Sequence, residues 1–327
     1  KIKNILYYMI LTVLSPYKQM KFYKSKFIVV SLFIGALLIF AIPDTFTRGE
    51  KMMHLSTSNH VMVVPLPEEI SLAGESMPDN INSRESLSRE MQVNSFWHSN
   101  TLQMLQRSGR FFPVIELILQ EEGIPNDFKY LAVIESGLSP ALSPAGAAGL
   151  WQLMKGTAID YGLEVNDQID ERYHIMKATR AACAYLKDAK EKFGSWTLAA
   201  ASYNMGMAGL QKQLFRQKES NYYDLLLNEE TKRYVYRILA LKYIFKEPRA
   251  YGFDILPNDY FLPWDDQIIT IDSNINSWGE FAHLYEWSYK ELKIHNPWLR
   301  DSYLNNSFQK QYEISVPSKN PKLKIKN

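Results

Sequence analysis

Tyr130-Leu131-Ala132-Val133-Ile134-Glu135-Ser136-Gly137 is the stretch on which the reading of this chain turns. Leu131, Val133 and Ile134 lead an apolar helical run into Glu135, and Ser136-Gly137 ends it, because glycine just past a last turn is a helix stop. A glutamate on a helix is ordinarily a solvated surface residue. A carboxyl held against apolar neighbours at a helix end behaves differently. Burial penalises its ionised form, and the partial negative charge of the helix C-terminus acts in the same direction. A group that keeps its proton near neutral pH has the property required of a general acid. Ser136 can orient the region, or it can simply cap the helix carbonyls.

Three further clusters follow in order: Gly149-Leu150-Trp151-Gln152-Leu153-Met154, then Ala201-Ser202-Tyr203-Asn204-Met205-Gly206, then Glu230-Thr231-Lys232-Arg233-Tyr234-Val235. Around them apolar residues recur at helical spacing from residue 95 to 248, with no alternating strand pattern. The spacing predicts helices at 96–107, 111–122, 126–136, 150–161, 174–193, 196–204 and 231–245. Ile175, Ala178, Ala182, Tyr185, Ala189 and Phe193 form one apolar face, with Lys177, Lys187, Asp188 and Glu191 opposite. Gly109, Gly123, Gly137, Gly162 and Gly194 fall where helices should stop, and Ser195 reads as an N-cap. Short connections between amphipathic helices predict a compact α domain around one cleft.

Composition bounds what else the chain can be. Its 327 residues, 46% hydrophobic and 22% charged, suffice for a buried core and about two domains. A net charge of +2 argues against a nucleic-acid partner, which would need a concentrated basic face. Cys183 is the single cysteine, so there is no disulfide framework, and its Ala-rich helical setting reads as a packed core thiol. The six histidines show no pair at metal-ligand spacing, so neither a metal nor any other cofactor is expected.

Near the N-terminus the run Phe-Ile-Val-Val-Ser-Leu-Phe-Ile-Gly-Ala-Leu-Leu-Ile-Phe-Ala-Ile at 27–42 comes after Lys18, Lys21, Lys24 and Lys26. A basic flank before an uncharged apolar run is the pattern of an export signal or signal anchor. The expectation is that residues 1–43 carry this address, leaving everything after Pro43 outside an inner membrane. Residues 44–90, rich in Ser, Asn, Glu and Pro, read as a flexible linker. Domain-scale expectations are then a helical domain at 91–250, a linker at 251–266, a small module at 267–318 and a basic tail at 319–327.

In that module Ile268-Ile269-Thr270-Ile271 reads as a strand, and Tyr312-Glu313-Ile314-Ser315-Val316-Pro317 as its closing partner. Ser277-Trp278-Gly279-Glu280 and Ser288-Tyr289-Lys290-Glu291 both read as capping boxes opening short helices, giving the order β-α-α-β.

Taken together the clusters resemble family 1 lytic transglycosylases of the membrane-bound lytic murein transglycosylase D type. The matching elements are the stretch ending in Glu135-Ser136-Gly137, Ser143-Pro144-Ala145-Gly146-Ala147-Ala148-Gly149-Leu150-Trp151-Gln152-Leu153-Met154, Asp170-Glu171-Arg172, Ala184-Tyr185-Leu186, and Trp196-Thr197-Leu198-Ala199 leading into Tyr203-Asn204. The resemblance implies a mainly α, goose-lysozyme-like catalytic domain, a peptidoglycan substrate and Glu135 as the one catalytic acid/base. It further implies that Ser136, Gln152, Tyr203, Asn204 and Tyr234 bind substrate around that carboxyl. For Tyr203 and Tyr234 the alternative is core packing with a hydroxyl at the rim, and Trp151 is expected to pack beneath the cleft. Ser202 and Met205 replace the alanines usual beside Tyr-Asn, and Lys232 stands where arginine is common.

Ordinary glycosidases flank the scissile bond with two carboxyl groups. No second matching acid motif is present here, so the resemblance implies a substrate-assisted lyase forming 1,6-anhydro-muramyl ends. A hydrolysing muramidase and a catalytically silent peptidoglycan-binding protein are the alternatives. The small module resembles a LysM domain through Phe281-Ala282, Leu292, Asn296 and the final Ile-x-Val-Pro, although Asp272-Ser273-Asn274 stands where Gly-Asp-Thr is typical. Glycan binding and a structural cap on the helical domain are both open for it. The implied location is the periplasmic side of a bacterial envelope, with glycan strands as partner and the inner membrane as a second one if the N-terminal segment is retained.

Overall fold

The computed structural model describes residues 63–318. The expected export segment at 1–43, the linker as far as residue 62 and the basic tail at 319–327 lie outside the described residues. Among the described residues no helix is long and apolar enough to cross a membrane.

From residue 63 onward the chain is folded, where a linker was expected as far as residue 90. A two-stranded hairpin, β1 (Ser71–Leu72) and β2 (Glu75–Ser76), pairs antiparallel with Ser71 opposite Ser76. Ile70, Leu72 and Met77 are buried in the main core. Helix α1 (Ile81–Phe96) comes next, with Asn80 at its N-cap accepting from the Ser83 amide at 2.9 Å. Its buried face is Ser83, Leu87, Glu90, Met91, Asn94 and Ser95, only two of them apolar. That polar face is why its composition reads as linker.

Helix α2 (His98–Glu121) is continuous, where two helices separated at Gly109 were expected. Gly109 is not a stop. A Cβ there would lie 2.7 Å from the Tyr260 Cβ and 2.9 Å from the Phe261 carbonyl oxygen, so glycine admits a crossing segment. After a 3-10 turn at Asn126–Phe128 comes α3 (Lys129–Ser136), which buries Tyr130, Leu131, Ala132 and Val133. Helix α4 (Lys155–Asp160) is shorter than expected, since residues 149–152 form turns and Leu153 bridges back to Ala148 instead. Then come α5 (Ile175–Phe193), α6 (Trp196–Met205), α7 (Met207–Gln217) and α8 (Glu229–Lys246). Helix α7 has no counterpart in the predicted set. Cys183 is fully buried in α5, and burial pushes its thiol up to about 12, which fits a packing role.

Small residues let α6 sit close among its neighbours: Ala199, Ala200 and Ala201 are fully buried. Its N-terminus is held by Ser195, as expected, and by the hairpin. The Glu75 carboxylate accepts from Ser195 Oγ at 2.6 Å and from the Trp196 and Thr197 amides at 2.6 and 2.8 Å. Burial alone would raise this carboxyl, but the hydrogen bonds from Ser195, Thr197 and Trp196 outweigh it and hold the group at about 2. A residue of the expected linker thus caps the helix whose far end carries Tyr203 and Asn204.

The C-terminal module has the expected β-α-α-β order: β3 (Asp266–Ile271), α9 (Trp278–His283), α10 (Tyr289–His295) and β4 (Tyr312–Pro317). Strands β3 and β4 pair antiparallel, Asp266 opposite Pro317 and Ile271 opposite Tyr312. Ser288 and Glu291 form the reciprocal capping box. Ser277 caps only the Glu280 amide, at 3.2 Å, so the first expected box is half formed.

Candidate active site

Glu135 occupies the last turn of α3, with its neighbours on the preceding turn locked in the core. It is partly buried, and the Tyr234 hydroxyl from α8 donates to its Oε1. Burial pushes the Glu135 carboxyl up to about 7. The Tyr234 hydrogen bond opposes that rise, the negative charge of Glu230 adds to it, and Arg237 opposes it. Tyr234 is itself buried, and burial together with the Glu135 charge holds its phenol well above the ordinary range. It therefore stays a donor across physiological pH. With Oε1 engaged, the acidic proton of Glu135 belongs on Oε2.

Tyr203 comes from the last turns of α6. Its hydroxyl donates to the Trp151 carbonyl at 2.8 Å, and its ring meets Tyr185 edge-on at 5.2 Å. Burial first, then the Glu135 charge, raise its phenol, so Tyr203 lies within electrostatic reach of that carboxyl without bonding to it. Trp151 is fully buried, its indole N–H donating to Thr179 Oγ1 at 2.8 Å. Its full burial fits the packing role expected from the sequence.

The other three candidates make their hydrogen bonds to the protein. Ser136 Oγ lies 3.1 Å from the Ala132 carbonyl and 2.9 Å from that of Leu150, tying the end of α3 to the following loop. Gln152 has φ 47°, and its Nε2 donates to the carbonyls of Ala141 and Gly149 at 3.0 and 2.8 Å. Asn204 faces the first turn of α8: its Nδ2 donates to Glu230 Oε1 at 3.0 Å, and its Oδ1 accepts from Thr231 Oγ1 at 2.7 Å. Tyr234 alone among the candidates hydrogen-bonds Glu135.

Two parts of the site were missed in the sequence. Glu230 was visible only as the head of a motif, yet it is the second carboxylate acting on Glu135. Arg172 stands in the Asp170-Glu171-Arg172 element, to which the sequence alone assigns no task. It is buried, pairs with Asp170 through Nε and Nη2 at 2.9 and 2.7 Å, and donates from Nη1 to the carbonyls of Gly146 and Leu153 at 2.8 and 3.2 Å. Gly149 completes this clamp, since a Cβ there would lie 1.8 Å from the Arg172 carbonyl oxygen. Among the described residues no group of three or more His, Cys, Asp or Glu is placed to hold a metal ion.

With that geometry in hand, residues 113–226, which include Glu135, Gln152, Tyr203 and Asn204, match the family model described as the transglycosylase SLT domain. The chain carries an SLT transglycosylase domain. Residues 267–320 match a second model, the soluble lytic transglycosylase C-terminal LysM-like domain. The SLT-domain chain is 31% identical over 182 residues to membrane-bound lytic murein transglycosylase D of Escherichia coli, covering 54% of this chain and 39% of that protein. It therefore spans well under half the length of that curated relative. Among solved structures it is similar to the 70-kDa soluble lytic transglycosylase of Escherichia coli, at 17% identity and TM-score 0.40, covering 56% of this chain and 31% of that one. Lytic transglycosylase Slt of Pseudomonas aeruginosa is similar at 19% identity and TM-score 0.33, covering 46% and 26%. Tyr234 and Glu230, on α8, lie beyond the matched SLT residues.

Proposed function

We propose that this SLT-domain protein cleaves the MurNAc–GlcNAc bond of peptidoglycan without consuming water, leaving 1,6-anhydro-muramyl ends, on the periplasmic side of a bacterial envelope during cell-wall remodelling or turnover. The observation that carries the reading is a partly buried Glu135 held at about 7, with one oxygen fixed by the Tyr234 hydroxyl. That carboxyl is half-protonated near neutral pH, the condition under which one group both gives and takes a proton efficiently. In the first step Glu135 Oε2–H protonates the leaving glycosidic oxygen. The bond from that oxygen to the muramyl anomeric carbon breaks, and the muramyl acetamido oxygen closes on that carbon. In the second step the Glu135 carboxylate takes the proton of the muramyl 6-hydroxyl. That oxygen displaces the acetamido oxygen, forming the anhydro ring and restoring the acid. In both steps Tyr234 keeps the carboxyl oriented.

Glu230 favours a second reading, hydrolysis by a muramidase, because it supplies a nearby second carboxylate. Against it, Glu230 Oε1 is occupied by Asn204 Nδ2. Digesting purified sacculi with the protein and weighing the fragments separates the two. The expected products have muramyl ends lighter by one water than reducing ends, from wild type and from Glu230→Gln alike. Hydrated reducing ends, lost in Glu230→Gln, are the muramidase result.

A further inference from the structure

The LysM-like module does not hang from the helical domain; its hydrophobic core is completed by it. Trp278, Leu292, Trp298, Leu299, Ile314 and Val316 cluster with Ala148, Ile169 and Tyr173, which belong to the SLT half. Ala148 is fully buried, sits in the same loop as Gln152, and precedes the Gly149 that admits the Arg172 backbone. The backbones join too. The Asp170 amide donates to the Trp298 carbonyl at 2.9 Å, and the Arg300 amide to the Gln168 carbonyl at 2.7 Å. The Arg300 guanidinium lies over the Tyr173 ring at 4.4 Å from its centre.

A polar route runs beside this apolar one. Glu164 pairs with the Lys310 ammonium and accepts from the Tyr312 hydroxyl at 3.1 Å, both on the module, and from Asn166 Nδ2 at 2.8 Å. The Glu164 amide donates at 2.8 Å to Oε2 of the buried Glu171, whose Oε1 pairs with Lys177 at 2.5 Å. Next along the chain Arg172 grips the Gly146 and Leu153 carbonyls that bracket Gln152.

We propose that the LysM-like module is a positioning element for the catalytic site. It fixes residues 164–173, and through Arg172 and Ala148 it fixes the conformation of the loop that presents Gln152. This role is separate from any glycan binding by the module. Its effect on turnover rests on the transglycosylase reading, whereas its effect on the loop does not.

The test uses the full chain and reads loop and activity separately. Glu164→Lys sets like charges against Lys310, and the double variant with Lys310→Glu restores an opposite pair. Hydrogen–deuterium exchange should become about tenfold faster at residues 143–153 in Glu164→Lys, while the amides of α3 keep their protection, and it should return toward wild type in the double variant. On a soluble oligosaccharide of alternating GlcNAc and MurNAc, kcat/KM should fall about tenfold and recover with the loop. Leu299→Ala, which opens space against Ile169, should loosen the same loop without altering charge. Unchanged exchange at 143–153 in both single variants overturns the proposal, as does uniform acceleration across α3 and α5. If wild type cleaves no glycan, the transglycosylase reading fails while the exchange result still decides the role of the module.

Discussion

Glu135→Gln is expected to lower turnover on peptidoglycan by about three to four orders of magnitude with little change in stability. Glutamine has the shape of the acid, and its amide oxygen can still accept from Tyr234, so the packing at the end of α3 persists. It cannot release a proton to the leaving oxygen, nor take one from the muramyl 6-hydroxyl. Both steps are lost with one atom change. Because Glu135 is largely protonated below about 7, the neutral amide replaces a neutral acid there and near-native melting is expected. Turnover measured by release of soluble muropeptides, alongside thermal melts at pH 6, checks both halves. A variant within about tenfold of wild type would remove Glu135 from the chemistry.

Glu90→Ala is expected to destabilise the protein by about 3 kcal/mol, the larger of the two stability effects. Glu90 is 1% exposed on α1, and its two oxygens receive Arg233 Nε and Nη2 from α8 at 2.6 and 3.0 Å, with Arg237 Nε at 3.7 Å. Truncating the acid leaves the Arg233 guanidinium without its hydrogen-bonded carboxylate and takes a nearby negative charge from Arg237. The figure sits at the low end for buried pairs because Arg233 keeps 21% side-chain exposure and can recruit water. The consequence reaches the site, since Arg233 adjoins Tyr234 and Arg237 acts directly on the Glu135 charge. Replacing Glu90 and Arg233 together by methionine should recover much of the stability, because it removes the more buried of the two guanidinium groups, while Arg237, 34% exposed, can turn to water. Urea titration of the three proteins measures this, and equal losses in the single and double variants would show that pairing is not the source of the effect.

The legible and illegible parts of this protein differ physically. Helical periodicity reveals α5 and most of α8 because their buried faces are apolar. Helix α1 escaped because it buries Glu90, Asn94 and two serines, and its partners lie more than a hundred residues away on α8. The approach of Tyr234 to Glu135 could be anticipated from ordered local motifs, each carried on one helix. The contacts of the remaining polar candidates could not be read. Asn204 and Gln152 lie in the expected clusters, yet their hydrogen bonds are set by Glu230, Thr231 and two backbone carbonyls brought together only by folding. Gly109 shows the same limit, since glycine as a helix stop and glycine as a crossing point are identical in sequence. The half-formed box at Ser277 does as well.

At the centre of the account stands the proton on Glu135, and titrating that carboxyl by carbon NMR in selectively labelled protein tests it most directly. A midpoint of about 7 is expected, with kcat falling as pH rises through it because the acid form is the one that starts the reaction. A midpoint at the ordinary glutamate value of about 4.5 would leave no acid at neutral pH and would contradict it.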